Sequence, residues 1–186
     1  MKLINLLEGV NAKYDAVLVA GLNYRKGDKT TEEQLSLFKK GYGGNVKVFN
    51  YSDATSSILS TMQENPRIPI FLFSAGCKKS EDISVSKFVD VNKMYIIEPY
   101  AAGPKTKTSV QNAVRNGVPA KNVFVGPHVG RGLGVVAGAT STNAKSHWDA
   151  LTIVGSKVRG GNAGGNTMQT QTIRRRSGFT VDDLNF

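Results

Sequence analysis

The chain has 186 residues, 40% of them hydrophobic, which suits one soluble globular domain with a proper core, and no apolar run approaches the roughly 18 residues of a bilayer span. The single cysteine, Cys77, excludes an intrachain disulfide framework and a cysteine-rich metal site, so the cytoplasm, or a particle assembled there, is the expected setting. A formal net charge of +10 raises nucleic acid as a partner, but much of the excess is spread as single lysines, the one dense cluster is Arg174-Arg175-Arg176, and no helix-turn-helix, zinc or RNA-platform signature accompanies it, so specific recognition of nucleic acid is the lesser expectation.

In chain order, residues 1–8 hold too few apolar positions before a charge for a signal peptide and read as a short docking helix. Apolar runs with β-branched enrichment recur at 14–20, 46–50, 68–73, 94–97 and 122–125. Segments of helical spacing lie between them. Segment 31–40 opens with a hydroxyl cap and acids and closes in lysines before Gly41, matching both ends of the helix dipole. Asp53 is expected to cap a second helix that places Ile58, Leu59 and Met62 on one face. A third begins behind Ser74, a fourth covers 108–116 and closes at Gly117, and a last begins at or after His147 with Trp148 and Leu151 as its apolar anchors. This alternation predicts an α/β fold: a three-layer sandwich around a mainly parallel sheet of about five or six strands, joined by right-handed crossovers.

From Gly155 the periodicity stops. Gly, Asn and Thr dominate, then Arg174-Arg175-Arg176, and the last residues regain Phe179, Val181, Leu184 and Phe186. Residues 1–154 are therefore expected to form the domain, and 155–186 a basic, glycine-rich C-terminal arm. Arg174, Arg175, Arg176, Phe179, Leu184 and Phe186 are its candidate partner-binding residues, docking on another protein or a second copy of the chain. A disordered tail is the alternative.

The chemistry concentrates in three places. Ile68-Pro-Ile-Phe-Leu-Phe-Ser74-Ala-Gly76 is an apolar run that stops at a serine, with small residues behind it that let a helix pack close to the strand. In a parallel sheet this presents a serine at the carboxyl edge; a serine that only caps the next helix is the plainer reading. Glu98 ends the next run, fixed by Pro99, and would be either a ligand-edge carboxylate or a solvated strand-end acid. His147 sits in a hydroxyl- and amide-rich loop before Trp148, and His128 in Val125-Gly-Pro-His-Val-Gly-Arg-Gly is its rival, in glycine-rich surroundings that suit an anion equally well. After the first strand, Leu22 or Asn23 would supply one backbone donor to an oxyanion, and Ala75 the other. Lys78 and Lys79 suit an anion or plain solvent. The glycine pattern 130–138 is a weak dinucleotide fingerprint, because it follows neither the first strand nor precedes a clear helix. Cys77 reads as a small buried hydrophobe, no metal-ligand set is legible, and no cofactor is expected.

Gly21–Tyr24, then Phe73-Ser74-Ala75-Gly76, then Ser146-His147-Trp148-Asp149-Ala150-Leu151 give an order that resembles the α/β-hydrolase family in a minimal, lidless form, over about residues 14–154. Two departures stand out. Leu72 occupies the place two before the serine where the family's elbow carries glycine, and 126–134, where the family usually keeps its acid, holds no Asp or Glu. Some members carry the acid one strand earlier, the place of Glu98. The resemblance implies a Ser74–His147–Glu98 triad acting on an ester or amide, with Leu22 or Asn23 and Ala75 as the oxyanion hole. A different class of function competes with it: a non-catalytic structural subunit of a large assembly, such as a bacteriophage virion protein, docked through its C-terminal arm.

Overall fold

Two of the central strands consist of four consecutive apolar residues with no polar alternation, the pattern of strands covered on both faces. They are β1 (Ala16–Val19) and β3 (Ile70–Phe73), buried throughout. The computed structural model describes residues 12–23, 27–99, 104–126 and 136–162. Beside these two run β2 (Val46–Phe49), β4 (Met94–Ile97), β5 (Val123–Val125) and β6 (Thr140–Ser141), in one sheet of order β2-β1-β3-β4-β5-β6. All five pairings are parallel. The expected α/β class and strand count hold; β6, only two residues long and polar, is the strand that hydrophobic patterning does not mark.

The helices are α1 (Thr31–Tyr42), α2 (Thr55–Glu64), α3 (Ser80–Ser84), α4 (Pro104–Arg115) and α5 (Asp149–Asn162). Strand residues alternate between two cores. Ala16, Leu18, Phe71, Phe73 and Ile97 pack with Phe38, Leu151 and Val154 of α1 and α5. Val17, Val19, Ile70, Leu72 and Ile96 pack with Ile58, Met62, Ile83 and Val110 of α2, α3 and α4. On the first face Phe71 lies 4.6 Å from Phe38 and stacks on Tyr95 at 4.8 Å between ring centroids. Such pairs add about 0.5–1.5 kcal/mol each beyond the area they bury.

Local chemistry moves several boundaries. The cap of α1 is Thr30, one residue before the expected start, in a reciprocal box: Thr30 Oγ1 accepts from Glu33 N–H, and the Glu33 carboxylate accepts from Thr30 N–H. Asp53 does not cap α2, whose N-cap is Ala54 without a side-chain bond. Its carboxylate instead accepts from Asn50 N–H at 2.8 Å and closes the turn before the helix. Helix α4 begins at Pro104, four residues before the expected 108, where proline's fixed φ and missing donor suit a first turn.

The largest local revision concerns the glycines after 154. The stretch expected to open a flexible arm is helical through Asn162. A Cβ on Gly155 would stand 2.8 Å from Tyr42 N and 3.0 Å from Phe38 O, and one on Gly41 would stand 2.0 Å from Thr152 O. These two glycines let the backbones of α1 and α5 meet, so glycine here serves close packing and not looseness. Residues 163–186, with Arg174, Arg175, Arg176, Phe179, Leu184 and Phe186, lie outside the described residues, as do 1–11 and 127–135 with His128. Among the described residues no helix is long and apolar enough to cross a membrane.

Candidate active site

Each parallel strand delivers its following residue to one edge of the sheet. At the carboxyl edge the order of strands sets Gly21 (after β1), Ser74 (after β3), Glu98 (after β4) and Gly126 (after β5) side by side. Phe73 is in register with Ile97, so Ser74 and Glu98 leave the sheet as neighbours. The chain leaves β1 toward β2 in one direction and β3 toward β4 in the other. The crevice between such diverging connections is where parallel α/β sheets take their ligands.

Both residues turn sharply. Ser74 has φ 52° and Glu98 φ 46°, the left-handed region that costs a side chain of this kind of order 1–3 kcal/mol. The other two such non-glycine residues among those described, Arg67 and Asn143, sit in exposed turns. Ser74 and Glu98 are buried, at 5% and 1% exposure, where the surrounding packing must hold the conformation. Behind Ser74 the chain runs as a six-residue 3₁₀ helix, Ser74–Lys79, longer than the three or four residues usual for that form, and then becomes α3.

Glycines make the room. A Cβ on Gly76 would lie 2.7 Å from Val19 O, so the helix behind the serine rests directly on the end of β1. A Cβ on Gly21 would lie 2.7 Å from Ser74 Cβ and 3.1 Å from its Oγ. The clearance for the serine thus comes from the adjacent strand, and this explains Leu72. Its side chain is wholly buried in the core under α2, α3 and α4, so it does not crowd the turn. Cys77 is also buried, its Sγ 3.2 Å from Leu72 O and 3.6 Å from Ile97 O, and burial pushes the thiol well above its ordinary pKa. It is packed as expected from sequence and poorly suited to act as a thiolate.

His147 precedes α5 and comes to the same edge. Its Nδ1 stands 3.3 Å from Glu98 Oε2, with the carboxylate fully buried and the imidazole 19% exposed. The ring lies on Phe73, the residue before the serine, with centroids 4.6 Å apart, and Trp148 meets it edge-on at 5.1 Å. The second carboxylate oxygen, Glu98 Oε1, is buried without a hydrogen-bond partner among the described residues. It fills the space that Gly126 leaves open, since a Cβ there would stand 1.9 Å from it. Burying a carboxylate with one long contact and one orphaned oxygen is costly, and structural ion pairs are rarely left half-satisfied.

Compared with known proteins, the chain matches no family model, no curated protein and no solved structure.

The oxyanion candidates occupy adjoining segments. Ala75 is the second residue of the 3₁₀ helix, where backbone N–H groups have no acceptor within the helix. Leu22 and Asn23 form the turn after β1, which is tied to α1: Asn23 Nδ2 donates to Thr31 Oγ1 at 3.1 Å, and Leu22 O accepts from Gln34 Nε2 at 3.3 Å. Lys78 lines an open groove of about 400 Å³ with Lys105, Glu81 and Asp82, and this balance of charge does not favour an anion. Sequence reasoning missed Gln34, Phe73 and Gly126. Gln34 carried a usable signal, a polar residue on the buried stripe Thr31, Gln34, Phe38, Tyr42 of α1. Gly126 carried none, because its partner arrives from another strand.

Proposed function

We propose that the protein is a serine hydrolase of ester- or amide-bond chemistry, with Ser74 as nucleophile, His147 as general base and acid, and Glu98 as the carboxylate that orients the imidazole. The observation that supports the reading is a buried, backbone-strained serine at the same carboxyl edge of the parallel sheet as a histidine whose Nδ1 lies 3.3 Å from a buried carboxylate. The α/β-hydrolase resemblance supports it through order alone: oxyanion loop after β1, serine after β3, acid after β4, histidine after β6.

With Nδ1 turned to Glu98, the opposite ring nitrogen, Nε2, is the one this chemistry would use. Nε2 takes the Ser74 Oγ proton as Oγ bonds to the acyl carbon, and the carbonyl oxygen becomes an oxyanion. Glu98 holds Nδ1–H and stabilises the imidazolium. Collapse breaks the bond to the leaving group, which departs with the proton from Nε2 and leaves an acyl ester on Ser74. Water, deprotonated by Nε2, attacks that ester, and the carboxylic acid is released with Ser74 restored. Backbone N–H groups of the β1 turn and of Ala75 would stabilise the oxyanion, each donor contributing about 2.7–4 kcal/mol. The virion-subunit reading draws chiefly on the 155–186 arm, of which 163–186 lie outside the described residues.

Turnover of p-nitrophenyl esters from acetate to decanoate tests the reading. The expected result is release of p-nitrophenol that Ser74→Ala and His147→Ala each reduce to background in folded protein. Equal release from wild type and both variants, or none from folded wild type across the series, would sink the esterase reading.

A further inference from the structure

Gln34 is fully buried on α1, and its side-chain amide is saturated by one segment of chain. Its Oε1 accepts from Gly21 N–H at 2.7 Å, while its Nε2 donates to Lys29 O at 2.8 Å and to Leu22 O at 3.3 Å. The orientation of the amide is forced, because an N–H faces one end and two carbonyls the other. A buried glutamine that bonds Gly21 N–H and Leu22 O in the turn after β1, and Lys29 O just before α1, fixes the peptide planes of that turn.

Those planes have a direction. A trans peptide points its C=O and N–H opposite ways. The Ala20–Gly21 peptide gives its N–H to Gln34, and its carbonyl faces the elbow side: a Cβ on Gly76 would lie 3.0 Å from Ala20 O. The Leu22–Asn23 peptide is the reverse, with its carbonyl on Gln34 and the Asn23 N–H therefore turned away from α1. Gly21 N–H is consumed by the glutamine. From this we infer that Gln34 is the positioning residue of the oxyanion site, and that the Asn23 N–H it turns away from α1 is the donor that works with Ala75 N–H. The inference rests on the proposed hydrolase chemistry and narrows it to one amide. Gln34 touches no substrate atom; it acts only by holding the turn.

The test is inactivation kinetics with a fluorophosphonate, comparing wild type with Gln34→Met, which keeps bulk and loses all three bonds, and Gln34→Glu, which keeps an acceptor for Gly21 and loses both donors. The expected result is full reaction at long times, so that every folded site still labels, with the rate at saturating probe reduced roughly 10- to 100-fold, less than the roughly 10²–10³ of deleting a donor, and the half-saturating probe concentration little changed. A role in folding alone would lower the fraction of reactive sites and leave the rate per site intact, and that result overturns the inference. A crystal structure of the wild-type phosphonyl adduct tests the same point without any variant. The phosphonyl oxygen is expected within hydrogen-bond distance of Asn23 N, and its placement on Leu22 N would refute the assignment. Absence of any reaction with wild type would fell the hydrolase reading itself, a failure distinct from the other two.

Discussion

The two ends of the sheet treat buried polar groups in opposite ways. At the amino end they are satisfied. Asn65, 1% exposed, accepts from Lys13 N–H and Tyr14 N–H at 2.7 and 3.3 Å and donates to Thr61 O at 2.9 Å. Asn122, before β5, donates to Asn92 O and Met94 O at 3.0 and 3.2 Å. At the carboxyl end, beside the well-bonded Gln34, several groups are strained or short of partners. Ser74 and Glu98 hold left-handed backbone, and both buried side-chain oxygens that lack a partner among the described residues, Glu98 Oε1 and Thr106 Oγ1, belong to segments leaving that edge. The asparagines stitch loops to strands through these side-chain bonds to the backbone. The carboxyl edge keeps capacity in reserve, at a cost to stability that packing elsewhere offsets.

Substitutions that attack one end and spare the other sharpen this contrast. The largest effect is expected at Gly126→Ala, whose Cβ would meet Glu98 Oε1 at 1.9 Å and push the carboxylate off His147. Phosphonylation per folded site should fall by about 100-fold or more, toward the loss seen when a triad carboxylate fails its histidine; an unchanged rate would detach Glu98 from the chemistry. Asn65→Ala should do the reverse. Stranding two N–H groups is expected to cost about 2 kcal/mol, lowering Tm by about 4–8 °C, with the rate per folded site unaltered. A lowered rate would mean that the two ends are coupled.

Smaller effects follow. Ser74→Gly should abolish phosphonylation yet raise Tm by about 2–4 °C, since glycine adopts φ 52° freely and relieves about 1 kcal/mol of strain. A variant with lowered Tm would show that the serine side chain stabilises the turn and is not strained there. Cys77 is the smallest case. Its thiol pKa is raised, chiefly by burial, so the thiolate is scarce through neutral and mildly alkaline pH and forms only above the ordinary thiol range. Iodoacetamide at pH 8 is therefore expected to spare native Cys77 and modify it in urea. Rapid native alkylation would place a reactive thiol beside the elbow.

Patterns local in sequence were legible: the apolar runs of the buried strands, the dipole-matched ends of α1, and Ser74 and Glu98 at the ends of runs. What was not legible depends on a neighbour distant in sequence. Gly155 reads as linker until α1 is beside it, and Leu72 reads as an obstruction until Gly21 is seen to provide the clearance. Asp53 looks like a cap because carboxylates cap helices, yet here Asn50 N–H lies within its reach. Strand β6 has too few residues to show a period, and its place comes from pairing with β5.

The most direct measurement is reaction of the wild-type protein with a fluorophosphonate, followed by peptide mass mapping of the adduct. One phosphonyl group per chain is expected, on Ser74, and its formation should be suppressed in His147→Ala of unchanged Tm. A stable adduct on another residue, or no adduct on the folded protein, would contradict the assignment of the carboxyl edge as a serine active site.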